Sequence, residues 1–237
     1  MRGRRIVPTA SIGIATSTSA STPESLLRDA DSALSRAKAG RRDFLEVAEN
    51  TGLITAVGAR VLDQVCAMLA DHPELAGPIS VNVSAVQLAS PGWLKSVEDT
   101  LTAHLVDPAR IVIEVTETAV LSLVDSARAA PETLRGVGVG IHVDDFGTGY
   151  SSISALRGLP VSGVKLGLRF VHDLTAGDSQ ANALAQGVSG LVNGMHLTGI
   201  AEGIETQMQA DLLRAQGWEC GQGYYFGRPA ATPLTHD

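Results

Sequence analysis

Five strand-like segments recur along the chain at about the spacing of one strand plus one helix, and each carries a polar residue near its end. These residues are Asn82, Glu114, Asp144, Lys165 and Glu202, at intervals of 32, 30, 21 and 37 residues. Such spacing is typical of β/α barrels, in which the chemistry gathers where successive parallel strands end. The pattern predicts an α/β fold, a TIM-like (β/α) barrel, with a functional site at one edge.

The apolar patterns predict six strands of this barrel, whereas the complete fold has eight. We place the strands at residues 79–84, 110–116, 138–144, 162–167, 197–202 and 221–226. The predicted helices span residues 55–70, 91–104, 119–135, 151–157, 178–194 and 206–216. Because too little chain precedes Asn82 to supply the missing strands, we expect a barrel truncated at its N-terminal side.

The net charge narrows the class of ligand. The 237 residues carry a charge of −7, which argues against a nucleic-acid polymer as partner, because such binding needs clustered cations. A small nucleotide stays compatible, since divalent metal ions can neutralise carboxylates and phosphates together. Hydrophobic residues make up 44% and aromatic residues 4% of the chain, so we expect a largely aliphatic core.

The cysteines and the start of the chain bear on location. Cys66 and Cys220 both lie in apolar surroundings, which indicates buried thiols in a reducing cytoplasm. No segment approaches the ~20 apolar residues of a membrane helix, so we expect no membrane partner. The basic start MRGRR precedes an apolar run that Pro8 interrupts, and we expect a cytoplasmic protein rather than a secreted one.

Seven sequence blocks between Phe44 and Pro229 resemble the EAL domain, the family of cyclic di-GMP phosphodiesterases. They are FLEVAENTGLI (44–54), SVNVSAVQL (80–88), EVTET (114–118), VDDFGTGYSS (143–152), VKLGLRFV (164–171), AEGIET (201–206) and QGYYFGRP (222–229). The blocks follow the order of the family, which makes the resemblance far more specific than a single motif.

A second resemblance concerns the start of the chain. Residues 9–42 resemble the closing segment of a GGDEF (diguanylate cyclase) domain, with TASIGIA followed by LLRDADSALSRAKAGRRD. We therefore divide the chain into a GGDEF remnant at 1–43 and an EAL domain at 44–237. The GGDEF signature itself is missing, so no cyclase activity is expected. TASIGIA (9–15) either takes the place of a missing barrel strand or is a stub of the lost domain, and we favour the stub.

The EAL resemblance implies a site for Mg²⁺ or Mn²⁺ at the strand ends. Asn82, Glu114 and Asp144 match ligands of a first metal ion, and Asp144 would also reach a second one. Asp145 follows directly and would face the same ions. Carboxylate and amide oxygens are the ligands that these hard cations prefer.

The resemblance also implies roles in catalysis and substrate binding. Glu202 matches the general base, and Lys165 matches the lysine that orients the attacking water and stabilises phosphate charge. Glu205 and Gln222 match residues near the second metal ion and the nucleotide. Glu117 matches the glutamate that controls the Gly-rich loop DFGTGYSS, whose glycines allow it to move when substrate binds.

Taken one at a time, these residues have simpler explanations. A strand-end Asn or Asp commonly caps the next helix, the segment EVTET could begin a helix, and Lys165 could extend from a strand end into solvent. Their joint placement at one edge favours a site. His142 lies two residues before Asp144 on the same side of its strand, and we expect it to fill the barrel.

Two departures from the family pattern bear on activity. The Glu-Ala-Leu triplet does not occur in the chain, and its glutamate is a first-metal ligand in the family. The Lys-x-Asp motif reads Lys165-Leu166-Gly167, so a second-metal carboxylate is missing. Each lost ligand removes several kcal/mol of charge stabilisation, and ~1.4 kcal/mol corresponds to a factor of ten in rate. We expect hydrolysis to fall by many orders of magnitude.

These observations leave three functions open. We favour a degenerate EAL-domain protein with little or no phosphodiesterase activity, which acts as a cyclic di-GMP-sensing or partner-binding module, with a second copy or another protein as partner. The first alternative is residual Mg²⁺- or Mn²⁺-dependent hydrolysis of cyclic di-GMP to linear pGpG. The second is a deletion remnant without a function.

Overall fold

Six parallel strands form one sheet, and their order in the sheet is their order in the chain. The computed structural model describes residues 45, 48–75, 77–119, 129–147, 156, 160–174 and 178–228, without the side chains of 129 and 130. The strands are β1 (Ile79–Asn82), β2 (Ile111–Thr116), β3 (Gly140–Phe146), β4 (Gly163–Leu166), β5 (Thr198–Ala201) and β6 (Cys220–Gly221). This half-barrel confirms the α/β fold and the six predicted strands; residues 1–43 lie outside the described residues.

Helices connect the strands, as parallel neighbours require. They are α1 (Leu53–Asp71), α2 (Ala85–Ala89), α3 (Trp93–Ala103), α4 (Ala129–Val137), α5 (Leu168–His172), α6 (Ser179–Gly194) and α7 (Gln207–Ala215), with a 3₁₀ turn at Pro108–Arg110. Four predicted helices match α1, α3, α6 and α7 closely. The prediction at 119–135 is described only in part, and most of that at 151–157 lies outside the described residues.

The two faces of the sheet differ in polarity because side chains alternate along each strand. In β2, Ile111, Ile113 and Val115 enter a core shared with α1 and α3. The opposite face, which is the interior side of the half-barrel, carries buried polar residues. These are Ser80, Glu114, His142 and Lys165. Buried polar groups are costly unless they are paired, so their placement on this face needs an explanation from the site.

Strand β6 is shorter than predicted. The sequence indicates a strand over 221–226, but regular pairing with β5 covers only Cys220 and Gly221. Gly223 has a φ of 153° and an added Cβ there would lie 2.1 Å from the carbonyl oxygen of Ile204. The chain therefore turns at Gly223, where Phe226 donates a backbone hydrogen bond to its carbonyl.

Helix α1 corrects the expectation about membrane segments. By length and composition it is apolar enough to cross a membrane, with a hydropathy of 1.5 over its most apolar window. Its Leu62, Val65, Cys66 and Leu69 pack into the core against the sheet. Length and composition alone are weak evidence for a span, and core packing accounts for the apolar character of these four residues.

Both cysteines are buried, as predicted, and they form no disulfide with each other. Cys66 lies in α1 within the core, where burial raises the pKa of its thiol to about 11, with a further contribution from Asp63. Such a thiol stays protonated near neutral pH and is chemically inert.

Candidate metal centre

Three carboxylates from three strands converge on one ammonium group. Lys165 Nζ, on β4, lies 2.7 Å from Glu114 Oε2 on β2 and 3.4 Å from Asp144 Oδ1 on β3. It also contacts Glu202, which directly follows β5. The strand registers place these residues near neighbouring strand ends, and the structure brings their side chains together.

Lys165 is fully enclosed, with 3% of its surface exposed. Burial alone lowers the pKa of its ammonium, but the surrounding carboxylates, with Glu202 contributing most, raise that pKa above its ordinary value. The lysine is therefore charged throughout the neutral range. A buried charge of this kind is tolerated only with close counter-charges, which the carboxylates supply.

Glu202 responds differently to the same surroundings. Burial raises the pKa of its carboxyl to about 7; Lys165 opposes this effect, while Asp144 and Glu114 add to it. A carboxyl that titrates near neutral pH is suited to accept a proton from a bound water or hydroxyl. The geometry and the pKa thus suit Glu202 to the role that the resemblance implies.

A second grouping shares two of these carboxylates. Oxygen atoms of Asp144, Asp145 and Glu202 all lie within 4.8 Å of one another and could hold a metal ion. Strict alternation would send Asp144 and Asp145 to opposite faces of β3. The β3–β4 register shifts between Val143 and Phe146, and Asp145 has a φ of 55°. This local irregularity, which the sequence does not reveal, turns both carboxylates toward one place.

These donors fit a divalent cation. All are carboxylate oxygens, which Mg²⁺ and Mn²⁺ prefer. Glu114 is 2% exposed, and its Oε1 has no hydrogen-bond partner among the described residues. A buried carboxyl oxygen without a partner is unfavourable, and a bound cation would compensate it.

Asn82 lies at the edge of this group. It ends β1 in register with Glu114 and its side chain is exposed. No hydrogen bond or ion pair in the described part of the chain joins it to Lys165. Asn82 therefore lies beside the carboxylates but does not contact Lys165 through a hydrogen bond in the described structure.

Glu117 contacts the start of the Gly-rich loop. Its carboxylate is buried, and Oε2 accepts a hydrogen bond from the Gly147 backbone N–H at 3.2 Å. Gly147 has a φ of 90°, and an added Cβ there would lie 2.9 Å from the Phe170 ring. The remainder of the loop, from residue 148, lies outside the described residues.

Glu205 and Gln222 follow β5 and β6 at the same edge. Glu205 is exposed, and its backbone N–H donates to Gln209. Gln222 continues the β5–β6 pairing through its backbone, and its Oε1 is buried without a partner in the described structure. Within the described part of the chain, neither residue forms a hydrogen bond or ion pair with Glu114, Asp144 or Glu202.

Gly167 occupies the position where the family pattern has an aspartate. It precedes α5 as the N-cap, with φ −57° and ψ 140°, and supplies no side chain to cap the helix or bind an ion. This backbone conformation is open to any residue, so glycine is not required there by its torsion angles.

His142 fills the interior side of the sheet, as the sequence analysis expected. Its ring lies over Gly163, where an added Cβ would come within 2.6 Å of the ring. Burial, aided by the charge of Lys165, lowers the pKa of His142 to about 4, although Asp144 opposes the shift. The ring is neutral at pH 7. The dependence of His142 on Gly163 is a pairing that sequence reasoning missed.

Comparison with known proteins identifies the family. The EAL domain pattern matches residues 27–229. The chain belongs to the EAL domain family. The match begins inside the segment assigned to a GGDEF remnant, and the comparisons give no evidence for that remnant.

Relatives of this EAL domain include the bifunctional diguanylate cyclase/cyclic di-GMP phosphodiesterase MucR of Pseudomonas aeruginosa. It is 39% identical over 189 residues, which cover 78% of this chain and 27% of MucR. The oxygen sensor protein DosP of Escherichia coli is 34% identical over 189 residues, covering 78% of this chain and 24% of DosP. The chain thus spans about a quarter of the length of the curated relatives it matches.

Solved structures of EAL proteins show the same fold. The MucR phosphodiesterase in complex with cyclic di-GMP has a TM-score of 0.74 and 38% identity, over 79% of this chain and 76% of that one. Klebsiella pneumoniae BlrP1, solved with manganese and cyclic di-GMP, has a TM-score of 0.68 and 26% identity, over 74% of this chain and 45% of that one. A calcium complex of BlrP1 matches equally well.

Proposed function

We propose that this EAL domain is a sensing module that binds cyclic di-GMP with the help of Mg²⁺ or Mn²⁺ and hydrolyses it little or not at all. The observation that carries the proposal is the cluster of Glu114, Asp144, Glu202 and Lys165, which is assembled beside a glycine at position 167. The cluster supports binding, and the glycine supports the loss of turnover. The nucleotide complexes of MucR and BlrP1 support the choice of ligand.

The roles of the residues follow from their chemistry. Asp144, Asp145 and Glu202 would hold a divalent ion, with Glu114 and Asn82 beside it. When bound, the ion would neutralise phosphate charge and polarise the phosphate. Lys165 supplies a fixed positive charge toward an incoming phosphate. Gln222 has a buried side-chain oxygen without a partner in the described structure; it would border the nucleotide, as would Glu205.

The weak turnover follows from the missing carboxylates. Gly167 provides none for a second ion, and no Glu-Ala-Leu triplet occurs in the 237 residues. Metal-assisted hydrolysis of a phosphodiester depends on charge stabilisation of several kcal/mol from correctly held ions. A loss of that size at either ion lowers the rate by several factors of ten.

Calorimetric titration with cyclic di-GMP in the presence of Ca²⁺ tests the binding. We expect saturable binding to the wild type and none, or much weaker binding, to Asp144→Asn. Glu219→Gln is the matched control, because Glu219 is exposed and precedes β6 at the opposite end of the sheet. A flat titration with the wild type would refute nucleotide sensing and leave a protein partner, or a second copy, as the ligand.

Residual hydrolysis to linear pGpG is the second candidate, and the environment of Glu202 favours it. Its carboxyl, with a pKa near 7 and in contact with Lys165, is suited to accept a proton. Incubation of the wild type and Glu202→Gln with cyclic di-GMP and Mn²⁺ distinguishes the two candidates. Product from the wild type alone establishes hydrolysis, whereas equal background from both supports sensing without turnover.

We also propose a domain boundary at residue 43 and a cytoplasmic location for the protein. The resemblance of residues 9–42 to a GGDEF segment supports a boundary at residue 43. Two buried cysteines that form no disulfide with each other are compatible with a cytoplasmic location. Limited proteolysis that leaves a fragment beginning near residue 44 would support the boundary. A stable fragment that retains residues 9–15 would instead favour their incorporation into the barrel.

A further inference from the structure

We infer that Lys165 is a resident cation of this site and that, without nucleotide, the chain holds one divalent ion while the lysine ammonium takes the place of a second. The inference rests on the proposed function, because it specifies how the same site is charged. It concerns the number of ions bound, which can be measured without nucleotide and without any assay of activity.

The contacts of Lys165 are those of a cation in a ligand set. Its Nζ lies 2.7 Å from Glu114 and 3.4 Å from Asp144, and it also contacts Glu202. With 3% of its surface exposed, it cannot move into solvent without opening the site. A divalent ion that sought the same oxygens would have to displace it.

The other carboxylates leave room for one ion beside the lysine. Oxygens of Asp144, Asp145 and Glu202 lie within 4.8 Å of one another. This grouping omits Glu114, whose Oε2 is held by Lys165. The lysine and the potential ion site therefore share Asp144 and Glu202 but differ in their other contacts.

The charges favour a single ion. Glu114, Asp144, Asp145 and Glu202 carry at most four negative charges, of which the ammonium and one divalent ion balance three. A second divalent ion would make this group net positive around the buried Lys165 ammonium, which is unfavourable. Gly167 adds no carboxylate that could offset the extra charge.

Glu114 supplies independent evidence that this group of carboxylates can bind a second divalent ion when Lys165 is replaced by an uncharged residue. Its Oε2 is held by Lys165, while its Oε1 is buried without a partner among the described residues. Removing the ammonium would free both oxygens and vacate the place between β2 and β5. We expect a second ion to enter there.

Titration with Mn²⁺ alone, followed by the electron paramagnetic resonance signal of the free ion, tests the inference. The wild type should bind one ion, and Lys165→Met should bind two. The matched control is Lys95→Met, which removes an exposed lysine on α3 and should leave the count at one. Lys165→Gln, which keeps a polar group, repeats the test if Lys165→Met does not melt cooperatively.

The number of Mn²⁺ ions bound by the wild type and by the Lys165 variants decides the inference. Two ions, or none, in the wild type would overturn the inference, as would one ion in both the wild type and a folded Lys165 variant. If neither variant folds, the wild-type count decides. A count of one in a protein that fails to bind cyclic di-GMP removes the proposed function and leaves the resident cation standing. If the wild type binds cyclic di-GMP and also binds two Mn²⁺ ions, the proposed function stands and the inference about Lys165 is wrong.

Discussion

At the scale of single residues, the burial of Lys165 makes it the residue on which the site depends most. Its ammonium forms ion pairs with the carboxylates of Glu114, Asp144 and Glu202. Removing one partner of a buried ion pair leaves the other charges uncompensated, which costs far more than the pair itself contributes. The lysine therefore stabilises the arrangement of the carboxylates around it.

We predict that Lys165→Ala lowers the free energy of unfolding by about 3–5 kcal/mol in metal-free buffer. Urea denaturation in the presence of a chelator measures this change. Lys95→Ala, which breaks only an exposed pair with Asp99, should cost about 1 kcal/mol or less. Mn²⁺ should restore part of the loss for Lys165→Ala; similar costs at the two positions would contradict the importance of burial.

The Cys66 thiol gives a pH-dependent prediction at the same scale. With a pKa of about 11 in the folded protein against 9.0 for an ordinary thiol, it favours folding below pH 9 and loses that contribution as the pH rises toward 11. In a Cys220→Ser background at pH 8, iodoacetamide should label Cys66 only after unfolding. Labelling of the native protein at the rate of a free thiol would show that Cys66 is not buried.

At the scale of elements, β3 and β4 are held in register by a large residue facing a small one. The His142 ring lies over Gly163, and an added Cβ on Gly163 would also come within 2.9 Å of the Thr198 carbonyl oxygen. This packing fixes the position of Lys165 two residues further along β4, where its Nζ lies 3.4 Å from Asp144 Oδ1. The position of Lys165 in the site thus depends on the packing of His142 against Gly163.

We predict that Gly163→Ala destabilises the fold by about 1–3 kcal/mol, as overpacking does. The cost should be smaller in a His142→Ala background, since the ring clash is then removed and only the clash with Thr198 remains. A double-mutant cycle of unfolding free energies measures this coupling. Additive costs would show that the ring does not lie over Gly163.

The elements also show what the sequence could and could not predict. Apolar alternation located the strands, because Ile111, Ile113 and Val115 mark the covered face of β2 while Glu114 marks the other. The irregularity at Asp145 escaped prediction, since no residue type signals a register shift between two aspartates. The end of β6 was missed because QGYYFG reads as strand, although Gly223 turns the chain.

At the scale of the whole molecule, two hydrophobic clusters form one body. The larger joins β1 to β4 with α1 and α3, and the smaller joins β4 and β5 with α5, α6 and α7. Val188 on α6 packs against both clusters. Shared packing of this kind couples the unfolding of the two halves.

We predict a single cooperative thermal transition, with agreement between the calorimetric and van't Hoff enthalpies. This result would contradict a deletion remnant that lacks a stable fold. Differential scanning calorimetry with a chelator present provides the measurement. A featureless scan, or two well-separated transitions, would show that the half-barrel is not one folding unit.

The central claim is that the site binds cyclic di-GMP and leaves it intact. Equilibrium dialysis against cyclic di-GMP and Mn²⁺, followed by chromatography of the nucleotide on each side, tests it most directly. The account predicts excess nucleotide on the protein side, recovered as the cyclic form. Equal concentrations across the membrane, or conversion to pGpG well above that by Glu202→Gln, would contradict it.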